Sequence, residues 1–286
     1  MNLLPRAVLR RSGSALQLPP SYLLHLTAYF LLLTSYLLPL TSCGTLPPLR
    51  GKIDVGHESF AIFVGGNGHG DLYAVRADGG PAVPITFTTV AELRPSLSPG
   101  GTEVAFLRGR SLRDSTPSTV WVLNLLNGAE RELHLPKGVE APQGVAWSRD
   151  GGSVIVAAGG SFYRIAAPPQ DSEAQEIPPP ERAAAESALA VLVGDPAFAR
   201  IVPCKRPQDL CVEPRRGRVG ILAQAAREPL RWGGDSVAFF VGDLLQIRPL
   251  ARGRPRILNW SDVPAAPRQM TFFQASAQPA SPSDQM

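Results

Sequence analysis

The sequence has little histidine and little cysteine, and it lacks the motifs of common catalytic sites. Of its 286 residues, 4 are histidine and 3 are cysteine. There is no HExxH metal motif, no glycine-rich phosphate loop that opens a helix, and no G-x-S-x-G nucleophile elbow. The sequence therefore does not support a zinc hydrolase, a P-loop enzyme or a serine hydrolase, and we expect no metal ion and no cofactor.

An excess of charge is also missing from most of the chain. Of 28 basic residues, Arg6, Arg10 and Arg11 lie in the first 42 residues, which leaves 25 basic against 24 acidic residues beyond them. Two arginine-rich stretches, Arg215–Arg218 and Arg252–Arg256, lie where hairpin turns are expected, and no aromatic residues interleave them. We interpret them as solvated turns, with a patch for an anionic partner as the alternative, and we expect no nucleic-acid partner.

The chain has no charged residue between Arg11 and Arg50, and a long apolar run lies between them. This arrangement is typical of an export signal or a membrane anchor. The run ends at Leu40, Thr41, Ser42 and Cys43, which resemble the bacterial lipobox. We predict a lipoprotein signal peptide over residues 1–42 with the lipid on Cys43. A retained transmembrane helix is the alternative, because the run is long enough to span a bilayer.

Either interpretation places the bulk of the chain outside the cytoplasm. We expect a cell-envelope protein that is anchored by lipid and faces the periplasm or the exterior. By analogy with proteobacterial lipoproteins, Gly44 after the cysteine would permit sorting to the outer membrane. Residues 43–58, which include Pro47 and Pro48, are predicted to be the lipidated cysteine and a tether.

Two apolar hairpins about 50 residues apart share the same pattern of strand, turn and strand. In the second, Gly144–Gly160, Val145 and Trp147 alternate with small residues and lead into an Asp-Gly turn. The turns are built by Ser98, Pro99, Gly100 and Gly101 in one copy, and by Ser148, Asp150, Gly151 and Gly152 in the other. Weaker copies follow, with Trp232 near the place of Trp147.

A second strand pair follows each hairpin, and one apolar position recurs in all of them. Successive copies are separated by roughly 34 to 48 residues, which is the period of four-stranded propeller blades. The aligned residues are Tyr73, Trp121, Tyr163, Cys211 and Leu245. The pattern therefore predicts an all-β fold, a β-propeller of four-stranded blades.

Together these units resemble the TolB-like (WD40-like) β-propeller repeat. The resemblance implies a propeller domain over residues 59–275, followed by a disordered tail over residues 276–286. Ser59–Gly65 begins a blade that lacks its first strand, and Gln269–Ala275 is the apolar stretch left to supply it. Counting on that basis gives five blades closed by a C-terminal strand. Open stacking, or six blades, is the alternative.

Two small clusters are candidate sites. Cys204 and Cys211 flank six residues at the ends of apolar strands, and we predict a disulfide, with two free thiols as the alternative. His69 and Asp71, in a glycine-rich turn, are a weak candidate for a ligand site. Five-bladed propellers also host glycosidases with paired carboxylates, so we note the acids Glu58, Asp71, Glu92, Glu140 and Asp195.

The TolB-like resemblance implies an interaction role, since propellers present a rigid rim and funnel to a partner. The leading hypothesis is a lipid-anchored scaffold that binds a protein or a glycan and is not an enzyme. The alternatives are a degenerate propeller glycoside hydrolase and a single-pass structural protein of the envelope.

Overall fold

The computed structural model describes residues 48–66, 70–110, 116–168, 173–189, 199–214, 218–232, 236–242, 244–250, 256–257, 260–261, 264 and 267–275. All of them belong to the unit Thr45–Met286, and the other unit, Met1–Gly44, lies outside the described residues. The predicted lipobox Leu40–Cys43, His69 and the predicted tail 276–286 also lie outside them. Among the described residues, no helix is both long enough and apolar enough to cross a bilayer.

The regular secondary structure of the described part consists almost entirely of short strands. In chain order they are β1 (Phe60–Gly65), β2 (Asp71–Arg76), β3 (Gly80–Pro81), β4 (Val83–Pro84), β5 (Glu92–Leu97), β6 (Glu103–Gly109), β7 (Pro117–Asn124), β8 (Glu130–Leu133), β9 (Pro142–Trp147), β10 (Ser153–Ala158), β11 (Ser161–Ala166), β12 (Gln175–Glu176), β13 (Ala199–Pro203), β14 (Leu210–Pro214), β15 (Gly220–Ala223), β16 (Arg227–Trp232), β17 (Ser236–Val241), β18 (Leu244–Pro249), β19 (Arg256–Ile257), β20 (Trp260–Ser261) and β21 (Arg268–Phe273). A 3-10 turn (Pro179–Glu181) leads into the helix α1 (Arg182–Leu189).

These strands form five antiparallel sheets, each of which is one propeller blade. Sheet 1 has the order β21-β1-β2-β4, sheet 2 the order β5-β6-β7-β8 and sheet 3 the order β9-β10-β11-β12. Sheet 4 has the order β13-β14-β15 within the described residues, and sheet 5 the order β16-β17-β18-β19. A parallel pair, β20 with β3, links sheets 5 and 1 along the chain. The predicted all-β propeller is confirmed, and the described residues contain five blades.

The recurring apolar position marks the same strand in every blade. Each aligned residue lies on the strand that comes third in its copy of the repeat. It is paired across the ladder with an apolar residue of the preceding strand. The pairs are Tyr73 with Phe63, Trp121 with Phe106, Tyr163 with Val156, Cys211 with Val202 and Leu245 with Phe240. The repeat read from the sequence therefore sets the register of all five sheets.

The two predicted hairpin turns have matching geometry. The Gly101 N–H donates to the Ser98 carbonyl at 2.9 Å, and the Gly151 N–H donates to the Ser148 carbonyl at 3.0 Å. Both glycines have positive φ, +68° and +73°, which a residue with a Cβ rarely adopts. The Asp150 carboxylate accepts from the Ser148 hydroxyl at 2.6 Å and stabilises the second turn.

The second strands β1 and β6 have apolar central residues on both faces because a neighbouring sheet covers each face. In β1, Phe60 and Ile62 pack in a cluster shared with sheet 2, and Ala61 and Phe63 pack in a cluster shared with sheet 5. In β6, alternate residues likewise face sheets 1 and 3. Successive side chains of these strands point to opposite faces, and each face is buried against a different neighbouring sheet rather than one face being exposed to solvent.

The C-terminal strand β21 supplies the missing first strand of sheet 1. It pairs antiparallel with β1, with Phe273 opposite Phe60 and Phe272 opposite Ala61. The rings of Phe273 and Phe60 lie 5.7 Å apart, and Phe272 stacks on Trp232 of sheet 5 at 4.1 Å. The predicted closure of the propeller by a C-terminal strand is confirmed.

The described part of the segment predicted as a tether is packed against the propeller. Leu49 is fully buried, and Ile53 and Val55 are nearly so. All three belong to the apolar cluster that sheets 1 and 2 share. Residues from Leu49 onward therefore contribute to the core, because their apolar side chains cover the end of that interface.

The predicted disulfide between Cys204 and Cys211 is present. It crosses the hairpin between β13 and β14 and joins Cα atoms 5.4 Å apart. The turn that it closes is exposed and carries Lys205 and Arg206. The bridge ties together two strands of the blade with the weakest sequence repeat.

A buried ion pair lies within sheet 2 and is hydrogen-bonded to the loop that follows β4 of sheet 1. Glu92, at the start of β5, is 0% exposed, and its carboxylate accepts from the Arg108 guanidinium at 3.1 Å. It also accepts from the hydroxyls of Thr86 and Thr88, which follow β4 of sheet 1. Arg108 bonds Glu130 as well, at 2.8 Å. Burial raises the pKa of Glu92, and the Thr86 hydroxyl and Arg108 oppose that rise.

We expect Phe273→Ala to lower the free energy of unfolding of the whole domain by about 3–5 kcal/mol, since it empties a buried site in the closing strand. The next residue, Gln274, is exposed, and Gln274→Ala is the matched control with an expected change within about 0.5 kcal/mol. Denaturant unfolding measures both. Equal stability of the two variants would show that the closing strand is dispensable.

We expect Glu92 to make stability rise as the pH falls. Its pKa is raised in the folded state, so its contribution is present below the pKa of the unfolded chain and is lost as the pH rises through the folded value. Relative to Glu92→Gln, the natural protein should gain thermal stability between neutral pH and about pH 5. Melting curves at several pH values test this, and a relative loss on acidification contradicts it.

Candidate functional site

A cavity of about 740 Å³ lies where the first strands of the blades meet. Four blades contribute to it, and so does the helix α1. Its lining residues are Arg94, Pro95, Gln143, Gly144, Val145, Ala157, Phe162, Glu186, Leu189, Glu228, Pro229, Gln269 and Met270. A concave site of this size at the centre of a propeller can enclose a small ligand or the end of a peptide.

Three of the polar lining residues occupy equivalent bulges in three first strands. Arg94 in β5, Glu228 in β16 and Gln269 in β21 lie where the pairing register shifts. Their φ angles are 52°, 49° and 51°, values that are uncommon for residues other than glycine. A bulge redirects a side chain, and here it directs three polar groups to the same cavity.

These bulges are connected from blade to blade by hydrogen bonds. The Gln269 backbone N–H donates to the Glu228 carboxylate, and the Arg94 backbone N–H donates to the Gln269 side-chain oxygen at 2.8 Å. Each side chain thus satisfies a backbone donor that the bulge removes from its own sheet. The connection orients Glu228 and Gln269 along the cavity wall.

The equivalent position in sheet 3 is Gly144. A Cβ at this residue would lie 3.3 Å from Leu189 Cδ2 of helix α1 and 4.0 Å from Arg94 Nη1. The absence of a side chain therefore lets the end of α1 approach the cavity. Leu189, together with Phe162, forms the apolar wall on this side.

The lining combines apolar walls with few charges. Phe162, Leu189 and Met270 are apolar, whereas Arg94, Glu186 and Glu228 are charged and Gln143 and Gln269 are neutral donors and acceptors. Such a mixture is typical of sites that bind and orient a ligand. Within the described residues, no three His, Cys, Asp or Glu side chains are grouped to hold a metal ion.

The predicted pair of His69 and Asp71 stays a prediction, because only Asp71 lies within the described residues. His69 is outside the described residues, and the Asp71 carboxylate accepts from the Thr88 N–H at 3.2 Å. Asp71 does not line the central cavity. The structure shows Asp71 stabilising the loop after β4.

The noted carboxylates are not paired around the central cavity. Glu58 forms an ion pair with Arg76 at 2.6 Å, and Glu92 is in the buried pair with Arg108. Glu140 is exposed in the connection between sheets 2 and 3, and Asp195 is outside the described residues. The two acids that do line the cavity, Glu186 and Glu228, were not singled out from the sequence.

A signal for the cavity residues was present in the sequence. Arg94-Pro95 and Glu228-Pro229 occupy the same place in two copies of the repeat, three residues before the residue aligned with Leu97. A charged residue followed by proline inside an apolar strand disrupts the ladder. That pair of dipeptides would have predicted the bulges.

No protein-family model and no curated protein matches the sequence. Among solved structures, the chain is similar to TolB from Acinetobacter baumannii with a TM-score of 0.49 and 16% identity, over 75% of this chain and 66% of that one. It is similar to a chain of the nidogen/laminin complex with a TM-score of 0.47 and 9% identity, over 77% and 100%. For the putative TolB from Agrobacterium tumefaciens the TM-score is 0.33 and the identity 14%, over 72% and 67%. The strand orders of the described sheets are those of β-propeller blades.

Proposed function

We propose that this chain is a lipid-anchored protein of the cell envelope whose propeller binds a protein or another ligand without chemical turnover. The observation that carries the binding role is the central cavity of about 740 Å³, with its apolar walls and its few polar groups. The cavity is lined by the first strands of four blades, by β10 and β11 and by the helix α1, so its shape is largely set before a ligand arrives.

The polar groups support recognition rather than hydrolysis. Glu228 is hydrogen-bonded to the Gln269 backbone, which holds its carboxylate against the cavity wall. Arg94 and Gln143 are exposed to the cavity and free to meet polar groups of a ligand at its mouth. A ligand with an apolar body and polar groups at one end, such as a peptide terminus, fits these walls.

The disulfide supports the location. Disulfides persist in oxidising compartments such as the periplasm, and Cys204 is bonded to Cys211. The remaining cysteine, Cys43, ends the lipobox-like motif after the apolar run. We therefore propose that Cys43 carries the acyl chains, palmitate among them, after cleavage of residues 1–42.

We expect Cys43→Ser to abolish labelling of the protein by radioactive palmitate, because the thiol is the acceptor of the lipid. The matched control is the double variant Cys204→Ser, Cys211→Ser, which removes two cysteines of the chain and should still be labelled. Labelling of Cys43→Ser, or a mature N-terminus other than residue 43, would contradict the proposed anchor.

We expect Gln143→Trp to reduce recovery of a bound partner from envelope extract, because a large side chain at this exposed position fills the cavity. Gln208→Trp is the matched control, since Gln208 is exposed in the β13–β14 hairpin and does not line the cavity. Quantitative affinity purification with unchanged melting curves tests this. Equal recovery by both variants would exclude the cavity as the binding site.

A further inference from the structure

The first strands of the blades run in the same direction around the cavity. Between β5 and β21, Arg94 bonds Gln269 and Leu97 bonds Thr271, so the residue numbers rise together. Between β16 and β21, Glu228 bonds Gln269 and Trp232 stacks on Phe272, which again gives the same direction. The propeller therefore has one face where the first strands end, the upper face, and one where they begin, the lower face.

The upper face carries the turns from first to second strands and from third to fourth strands. The two kinds of turn meet where the Leu125 N–H donates to the Thr102 carbonyl at 2.9 Å. The lower face carries the turns from second to third strands, such as Gly159-Gly160, and the connections between blades. These also meet, since a Cβ on Gly159 would lie 3.6 Å from Glu140 Cβ.

The segment after the predicted lipid site lies on the upper face. A Cβ on Gly56 would lie 3.4 Å from Thr102 Cγ2 and 3.6 Å from the Gly100 carbonyl oxygen. Leu49 and Lys52 line a groove of about 580 Å³ together with Leu126 of the β7–β8 turn, which is 53% exposed. The chain thus enters the fold at this face.

The covalent distance from the lipid to this face is short. Leu49, which is fully buried, follows Cys43 by six residues, and an extended chain spans at most about 3.5 Å per residue, or about 20 Å in all. A six-residue strand such as β1 is itself about 20 Å long, since each residue adds about 3.3 Å, so this reach is used up over the height of the propeller alone. An anchor on Cys43 therefore stays on the side where the chain enters the fold.

The charge of the upper face suits a bilayer with anionic lipids. Arg50 and Lys52 are exposed, and neither has an ion-pair partner within the described ranges; Asp54 beside them is exposed as well. Basic groups near a membrane surface are attracted to anionic headgroups.

We propose that the lipid anchor holds the upper face against the bilayer, with Arg50, Lys52 and Leu126 at the headgroups, so that the central cavity faces away from the membrane. This inference rests on the proposed lipid at Cys43. The cavity lies towards the lower face, because Ala157 and Phe162, which line it, flank the β10–β11 turn. The anchor and the binding site therefore lie on opposite faces, and a partner can reach the cavity without displacing the membrane.

The distribution of lysines provides a direct test. The chain has three, all exposed: Lys52 on the upper face, and Lys137 and Lys205 on the lower face. The purified mature lipoprotein is reconstituted in vesicles of phosphatidylethanolamine and phosphatidylglycerol and treated with an amine reagent that does not cross bilayers. Compared with the same protein in detergent, Lys52 should be labelled several-fold more slowly, and the other two at unchanged rates.

A variant with a longer tether is the matched control. Insertion of about 20 glycine and serine residues between Gly44 and Thr45 should restore the labelling of Lys52, because a flexible linker of that length lets the domain turn away. Protection that survives the insertion contradicts the role of the short tether in holding this face. Equal labelling of all three lysines with the natural tether, or protection of Lys205, overturns the orientation. The mass of the Cys43 peptide separates this result from failure of the proposed anchor, since an unmodified Cys43 overturns both.

Discussion

The pairing of β21 with β1 is the interaction on which the ring of blades depends. The strands β1 and β6 pack both of their faces on neighbouring sheets, so a ring that stays open at sheet 1 leaves an apolar face and an unpaired strand edge exposed. The pairing of β21 with β1 covers the strand edge, and the contacts of Phe273 with Phe60 and of Phe272 with Trp232 cover the apolar face. Residues separated by more than 200 positions therefore form one sheet, and the stability of any blade includes that of the closure.

The closing strand β21 also contributes to the central cavity, which Gln269 and Met270 line. First strands crowd together at the axis, and bulges at Arg94, Glu228 and Gln269 relieve the crowding at the cost of unusual backbone angles. Residues held in sparsely populated backbone regions cluster at functional sites, because surrounding structure must over-determine them. Here the surrounding structure is a set of hydrogen bonds between blades: Glu228 of sheet 5 bonds Gln269 of sheet 1, and Gln269 bonds Arg94 of sheet 2. The same bonds that hold the inner strands in register shape the cavity wall.

The two ends of the described chain have complementary roles in this arrangement. The C-terminal strand completes the inner ring, and Leu49, Ile53 and Val55 cover the end of the interface between sheets 1 and 2. In the proposed arrangement the segment between the anchor and the propeller is short, so the anchor restricts how the propeller is oriented on the membrane. In the proposed arrangement, membrane attachment and partner binding use opposite faces, which allows both at the same time.

The sequence by itself determined the local pattern: strand and turn positions, the repeat that places Tyr73 and its four counterparts on third strands, and the missing strand that Phe272 and Phe273 supply. It also indicated the disulfide. These features depend on period-two apolarity and on glycine conformation, which are properties of neighbouring residues. The central cavity, in contrast, follows from the tertiary structure. Glu92 is one of the candidate acids, but its ion pair with Arg108 follows from the pairing of β5 with β6, and its bonds to Thr86 and Thr88 follow from the packing of the preceding loop. Arg94, Glu228 and Gln269 meet because separate first strands lie side by side around the cavity. The dipeptides Arg94-Pro95 and Glu228-Pro229 indicate two of the bulges, but residues so far apart in the chain carry no local signal that they line one cavity.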